Sequence, residues 1–344
     1  MFESITKRAF LTLAATAVAA AAFGPAKAAE ERSYILATAT TGGTYYPVGV
    51  ALATLTKVKL QPKQKISMSA ITSAGSGENV KLLRENQAQF AILQGLYGAW
   101  AWTGTGKVQA DGPQKNLRSV SMLWQNVEHF IVRSDYVDSG TASDVMSLKG
   151  KKFSIGKRNS GTEGSGRTIL TGLGVDTDAT FDVVYMGYNP SADALQNGTI
   201  DGMNIPAGPP VAGVPRAAAA LGDKMRVLDF TDDQIAMANK AAGGTLWTRF
   251  VIPANTYPGQ GKAINTMAQP NFLAVRADVD EDAVYKITKT IYENLGFLQS
   301  IHKATKAMDL QQAIAGLPFP LHPGAAKYYK EMGLTIPAHL MASN

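Results

Sequence analysis

Three times in this chain a strand-like run breaks into a loop of small residues that then opens a helix. The first is Ile35-Leu36-Ala37-Thr38-Ala39-Thr40-Thr41-Gly42-Gly43-Thr44-Tyr45-Tyr46-Pro47. The second runs from Ile66 to Asn79 through Thr72-Ser73-Ala74-Gly75-Ser76-Gly77, and the third from Phe153 to Glu163 through Gly156-Lys157-Arg158-Asn159-Ser160-Gly161-Thr162. Such a loop aims backbone N–H groups and hydroxyls at one spot, and the helix dipole adds partial positive charge there. Two such loops early and one far along the chain predict two lobes closing on a small acidic ligand.

Upstream, Lys7-Arg8 is followed by an apolar run from Ala9 to Phe23, and Ala26-Lys27-Ala28 supplies an A-x-A cleavage pattern. This predicts a signal peptide (1–28) cut near Ala28. The run is shorter than the ~20 residues of a spanning helix, although an uncleaved anchor is the competing reading. Thr6-Lys7-Arg8-Ala9-Phe10-Leu11 also resembles a twin-arginine signal with Lys in the first Arg position, so Sec and twin-arginine export both stay open. The chain has no Cys. That excludes a disulfide-linked partner and an anchor through a lipidated Cys, and it favours a soluble periplasmic protein.

The remaining ~315 residues suit two domains. The net charge is +6, of which the leader carries +2. The excess suits an anionic ligand, and the lack of a basic run or Lys/Arg stripe argues against nucleic acid.

Strands and helices alternate over 33–125: strands at Tyr34–Ala39, Ile66–Ile71 and Phe90–Gln94, with helices from Val48 to Lys57 and around Val80–Leu83. That order predicts an α/β architecture with a largely parallel sheet. Leu117 to Val132 reads as one long strand, long enough to leave one lobe and enter another. Its end, Val127 to Asp135, is echoed by Asn271 to Asp278, as outward and return crossings of an inserted lobe would be. The expected division is lobe 1 over 29–127, an inserted lobe 2 over 128–270, and a return to lobe 1 over 271–344. Lobe 2 holds strands at Phe153–Ile155, Phe181–Tyr185, around Ile200–Ile205 and at Met225–Leu228. Its helices are expected at Arg167–Leu173, Ser191–Gln196 and Asp232–Ala242. Acidic residues Asp278, Asp280, Glu281 and Asp282 then open a helix whose apolar set is Val284, Ile287, Ile291, Leu295 and Leu298.

Thr41-Gly42-Gly43-Thr44-Tyr45-Tyr46-Pro47-Val48-Gly49 resembles the opening motif of the TAXI family, the solute receptors of one class of TRAP transporter. Further similar segments follow in order: Ser76 to Leu83, Ala88 to Gln94, Ser160 to Glu163, Ala192 to Asp201, Ile252 to Gln260 and Leu317 to Ala325. The resemblance implies a type II periplasmic-binding-protein fold, two α/β lobes around a ligand cleft. It also implies capture of a small organic anion such as glutamate or 2-oxoglutarate, for delivery to TRAP membrane permease subunits. The chain departs from the family's Gly-Pro-Pro-Gly-Ser-Gly-Thr at Gly156-Lys157-Arg158-Asn159-Ser160-Gly161-Thr162, and again at Met203-Asn204-Ile205-Pro206.

Candidate ligand-binding residues follow from the loops. Thr44 and Tyr45 sit after Gly42-Gly43, where glycine lets a ligand approach the main chain. Ser73 and Asn79 flank the second helix start, with Ser76 a natural N-cap. Ser160-Gly161-Thr162-Glu163 fits a capping box, which leaves Ser160 and Thr162 as donors and gives Glu163 a capping role. Arg158 is placed to pair with a carboxylate or to stay a solvated rim charge. Gln94 and Asn204 end strands, where open α/β sheets collect ligands; Arg249 and Tyr257 flank the late Ile-Pro-Ala segment. No catalytic or metal site is expected: the four His are scattered, and no H-E-x-x-H, G-x-S-x-G or nucleotide P-loop occurs. No cofactor is expected either. A solute receptor is the leading function, and presentation of the ligand to a signalling partner such as a sensor kinase is the alternative.

Overall fold

A computed structural model of the chain describes residues 30–342; the expected signal peptide lies outside the described residues. Strand β1 (Arg32–Ala37) pairs in parallel with β2 (Ile66–Ile71) and β3 (Phe90–Gln94). Helix α1 (Tyr45–Gln64) joins the first two, and α2 (Ser76–Arg84) leads towards the third, after which α3 (Gly95–Thr103) starts directly at the end of β3. Parallel neighbours require such crossovers, and both faces of the sheet are therefore covered. Leu36, Phe90, Ile92 and Leu52 are fully buried in one core with Val48 and Val80.

Two long strands connect this lobe to the next. β4 (Leu117–Val127) and β11 (Ile264–Arg276) run antiparallel, with Leu117 opposite Arg276 at one end and Val127 opposite Ala268 at the other. The six-stranded sheet has the order β10 (Thr248–Ile252), β11, β3, β1, β2, with β4 paired to β11 along the edge opposite β3. Its β10 (Thr248–Ile252) pairs with the start of β11. Residues 248–252 and 264–270, expected in the second lobe, thus join the first sheet by hydrogen bonding. Ile252, Ile264 and Ala268 still pack into a core of the second lobe.

The expected single strand from Leu117 to Val132 is broken at Glu128-His129. β5 (Phe130–Arg133) then enters a second sheet with the order β7 (Asp182–Val184), β6 (Lys152–Ser154), β8 (Gly202–Asn204), β5, β9 (Met225–Val227). This lobe is built from β6 (Lys152–Ser154), α4 (Gly161–Gly172), α5 (Thr177–Thr180), β7 (Asp182–Val184), α6 (Tyr188–Gln196) and β8 (Gly202–Asn204). It is completed by α7 (Gly213–Leu221), β9 (Met225–Val227) and α8 (Asp232–Ala242). Strand alternation divides its core: Phe130 and Val132 face one side with Phe153 and Phe230, whereas Ile131 faces the other with Met203 and Leu195.

α1 runs past its expected bounds at both ends, from Tyr45 to Gln64, and α6 starts three residues before the expected Ser191; two further helices differ from expectation for local reasons. α4 begins six residues before the expected Arg167, because Gly161, Gly164 and Gly166 dilute its helical pattern. The helix expected through Leu298 stops at Glu293: Asn294 leaves helical geometry and returns its Nδ2 to Thr290 O at 2.8 Å. The chain continues as α9 (Glu281–Glu293), α10 (Leu295–Ile301) and α11 (Pro323–Glu331).

The break between β4 and β5 holds two buried ionisable groups. Glu128 accepts from Asn204 Nδ2 and Trp247 Nε1, both at 3.3 Å, and burial still pushes its carboxyl up from 4.5 to about 7. His129 meets Tyr257 OH at 2.7 Å, and burial pushes it down from 6.5 to about 4. Folded Glu128 keeps a proton that the unfolded chain releases. Its contribution to stability is therefore full below pH 4.5 and lost as pH rises through about 7. His129 works the other way, with its contribution full above pH 6.5 and lost as pH falls through about 4. Glu128→Gln removes only the first. Its stability relative to the parent protein should rise by about 3 kcal/mol between about pH 4.5 and 7.5 in urea denaturation. A difference independent of pH would reject this account of the buried carboxyl.

Candidate ligand-binding site

Four helices aim their N-termini into one cleft between the lobes. From the first lobe come α1, at Thr44 and Tyr45, and α2, at Gly75 and Ser76; from the second come α4, at Ser160, Gly161 and Thr162, and α6, at Gly187 and Tyr188. Each helix follows a parallel strand (β1, β2, β6 and β7 respectively), so all four open at carboxyl ends of strands. Gln94, the last residue of β3, and Asn126, near the end of β4, form part of the wall, and Pro206 and Ala207 close another side. The lobes leave little room here, with about 40 Å³ open to the centre of a water-sized sphere.

The first amides of a helix have no partner within it. Ser160 Oγ takes Glu163 N–H at 3.0 Å, and Asn159 O takes Glu78 N–H at 2.9 Å. Among the described residues no acceptor takes the amides of Ser76, Gly161, Thr162 or Tyr188. Lys157, exposed beside the third loop, is the charged residue that lines the cleft, and no carboxylate lines it.

The lobes touch directly around this space. Gln94 Nε2 donates to Gly161 O at 2.9 Å, and Asn126 Nδ2 donates to Gln94 Oε1 at 3.2 Å. Thr44 Oγ1 donates to Gly208 O at 3.2 Å. On the second-lobe side, Tyr188 OH donates to Pro206 O at 2.6 Å and stands 2.8 Å from Thr162 Oγ1. Tyr45 OH donates to Asn271 Oδ1 on β11, and burial holds its phenol well above the ordinary range.

Thr44, Tyr45, Gln94, Ser160 and Thr162, expected from sequence, are thus brought to one cleft. The other candidates stand elsewhere. Asn79 is fully buried, with Nδ2 on Thr38 O and Ile92 O and Oδ1 on Ser73. Ser73 Oγ bonds Thr38 O and holds the loop from within. Arg158 is exposed, its guanidinium 3.7 Å from the centre of the Tyr185 ring. Asn204 turns to buried Glu128, Arg249 pairs with Asp232, and Tyr257 is buried against His129. Ser76 is not the N-cap: Gly75 takes that place, and Ser76 Oγ accepts Gln94 N–H at 3.1 Å. Glu163 closes its box one residue early, on Asn159 N–H at 2.8 Å. Asn126 and the fourth helix start at Gly187-Tyr188 escaped sequence reading. Asn126 stands next to Gln125 near the end of a long strand, with nothing local to single it out, and Met186-Gly187-Tyr188-Asn189 lacks the Ser/Thr-rich loop of the other three.

This arrangement of two α/β lobes joined by two strands is the fold of periplasmic solute-binding proteins. MatC from Rhodopseudomonas palustris, solved with bound malate, superposes with a TM-score of 0.53 at 15% identity, covering 87% of this chain and 97% of that one. The periplasmic binding protein BugD superposes with a TM-score of 0.51 at 12% identity, covering 88% and 95%. The NMT1-like family model matches residues 36–333, and the chain belongs to that family.

Gly75 caps α2 at φ 125° and ψ −153°, a region open essentially to glycine alone. Gly75→Ala should cost about 1–3 kcal/mol in thermal or urea melts. Gly244→Ala, where an added Cβ meets nothing within 4 Å, should stay within about 0.5 kcal/mol of the parent. Equal effects at the two positions would reject the strain at Gly75.

Proposed function

We propose that this protein is an extracytoplasmic solute receptor of the TAXI type. It captures a small organic anion between its lobes in the periplasm and hands it to the membrane subunits of a TRAP transporter. The observation that carries the reading is the convergence of four helix N-termini, with free amides, on a cleft that contains Lys157 and no carboxylate. Partial positive charge from four helix ends and unpaired N–H donors on α2, α4 and α6 solvate an anion as water would. The ordered segments similar to the TAXI family, from Thr41 to Ala325, support the transporter assignment, and the export signal expected before Ala28 supports the compartment. Scattered His and the absence of Cys favour binding over catalysis.

Capture requires the lobes to close, and closure brings backbones together where side chains would not fit. A Cβ on Gly77, in the first lobe, would lie 2.5 Å from Asn159 O in the second. Gly77 itself lies in the first turn of α2, so alanine suits its conformation in either state of the cleft.

Thermal shift and calorimetry with small carboxylates test the reading. Malate belongs in the panel because it is the ligand of the Rhodopseudomonas palustris relative in fold. An anion at ~100 times its Kd should stabilise the protein by about 2.7 kcal/mol. Gly77→Ala, whose Cβ would lie 2.5 Å from Asn159 O when the lobes are together, should weaken that anion about tenfold. A folded protein that responds to no small anion would falsify the proposal.

A further inference from the structure

The cleft is one-sided in charge. Its lining offers amide and hydroxyl donors together with Lys157 and no carboxylate, and several acceptors on the same residues are already taken. Gln94 Oε1 holds Asn126 Nδ2, Pro206 O holds Tyr188 OH, and Thr40 O holds Gly43 N–H. The three carboxylates nearest the loops are engaged away from the cleft. Glu78 accepts Ala74 N–H at 2.6 Å in an outer groove beside the mouth. Glu163 accepts Asn159 N–H and lies 3.4 Å from Arg167 and 3.7 Å from Lys107. Glu128 is fully buried behind the wall, held by Asn204 and Trp247.

An α-ammonium group brings three donors and a positive charge. In this cleft it would meet other donors, the positive ends of four helices and Lys157, with no carboxylate to pair with. A buried charge left unpaired costs several kcal/mol in general. A carbonyl, hydroxyl or hydrogen at the same carbon carries no such charge, and the first two accept from the donors present.

We propose that this cleft selects organic anions lacking an ammonium group, such as 2-oxo, 2-hydroxy or unsubstituted carboxylates, and excludes the corresponding α-amino acids. The selection rests on the reading of the cleft as an anion site and narrows its ligand class: of the two kinds of ligand expected by resemblance, the amino acid is the one that a lining with Lys157 and no carboxylate rejects.

The test is isothermal titration of the purified protein with pairs that share a carbon skeleton: L-lactate and L-alanine, succinate and L-aspartate, 2-oxoglutarate and L-glutamate. In at least one pair the member without nitrogen should bind at least about a hundredfold more tightly than its amino partner. An amino acid that binds as tightly as its partner, or more tightly, overturns the selectivity and leaves the anion site standing. Silence from both members of every pair overturns the anion site, and the selectivity falls with it.

Discussion

The pairing of β4 with β11 is the constraint on which the rest depends. Nine register pairs hold these antiparallel strands side by side, from Leu117 opposite Arg276 to Val127 opposite Ala268. They are the route by which the chain leaves the first lobe and returns to it. Their polar positions become the wall between the lobes. Asn126 supports Gln94, Asn271 holds Tyr45, and Gln269 Oε1 accepts Leu96 N–H at 2.8 Å. Val127 also exchanges two backbone hydrogen bonds with Ala207, 3.1 and 3.0 Å, which fixes the Pro206-Ala207 side of the cleft to the same strand. One paired ribbon thereby sets the position of both lobes' loops.

Around that ribbon the lobes meet through glycine. A Cβ on Gly42 would lie 2.5 Å from Asn189 Oδ1, on Gly161 2.9 Å from Gln94, and on Gly164 2.5 Å from the Tyr97 ring. Each contact joins a residue of one lobe to a residue of the other. Of these three, Gly161 also lines the cleft, so at that position an open main-chain amide and the contact between the lobes depend on one glycine.

The repeated strand–loop–helix unit was legible because both of its signals are local. β2 and β3 have the bounds their alternation and apolar runs suggest, and three of the four helix starts are marked by Gly next to Ser or Thr. The fourth start, at Gly187-Tyr188, lacks those hydroxyls, and its tyrosine reads as core. What stayed hidden depends on distant partners. Asn79 looks like a ligand donor in sequence, yet its amide ties β1 to β3 through Thr38 O and Ile92 O. Arg249 looks free, yet strand pairing carries it to Asp232. A polar residue near a helix start has two uses, to bind or to brace, and only the three-dimensional neighbours decide between them.

Glu128 and His129 show how the crossing itself is braced. They occupy the two residues between β4 and β5, where the chain changes sheets and its backbone leaves one ladder before joining the next. Backbone groups freed by such a break need partners inside the protein. Glu128 N–H finds Met267 O, Glu128 O accepts Thr266 Oγ1, and His129 O accepts Ile205 N–H. The two side chains extend the same bracing to Trp247, Asn204 and Tyr257, reaching β8, the start of β10 and the loop beyond it. Burial favours the neutral form of both groups, raising the acid and lowering the base. Between about pH 4.5 and 6.5 their contributions to stability have opposite slopes, so the crossing gains a polar network whose pH dependence largely cancels within the pair. Neither Glu128 nor His129 is among the residues that line the cleft.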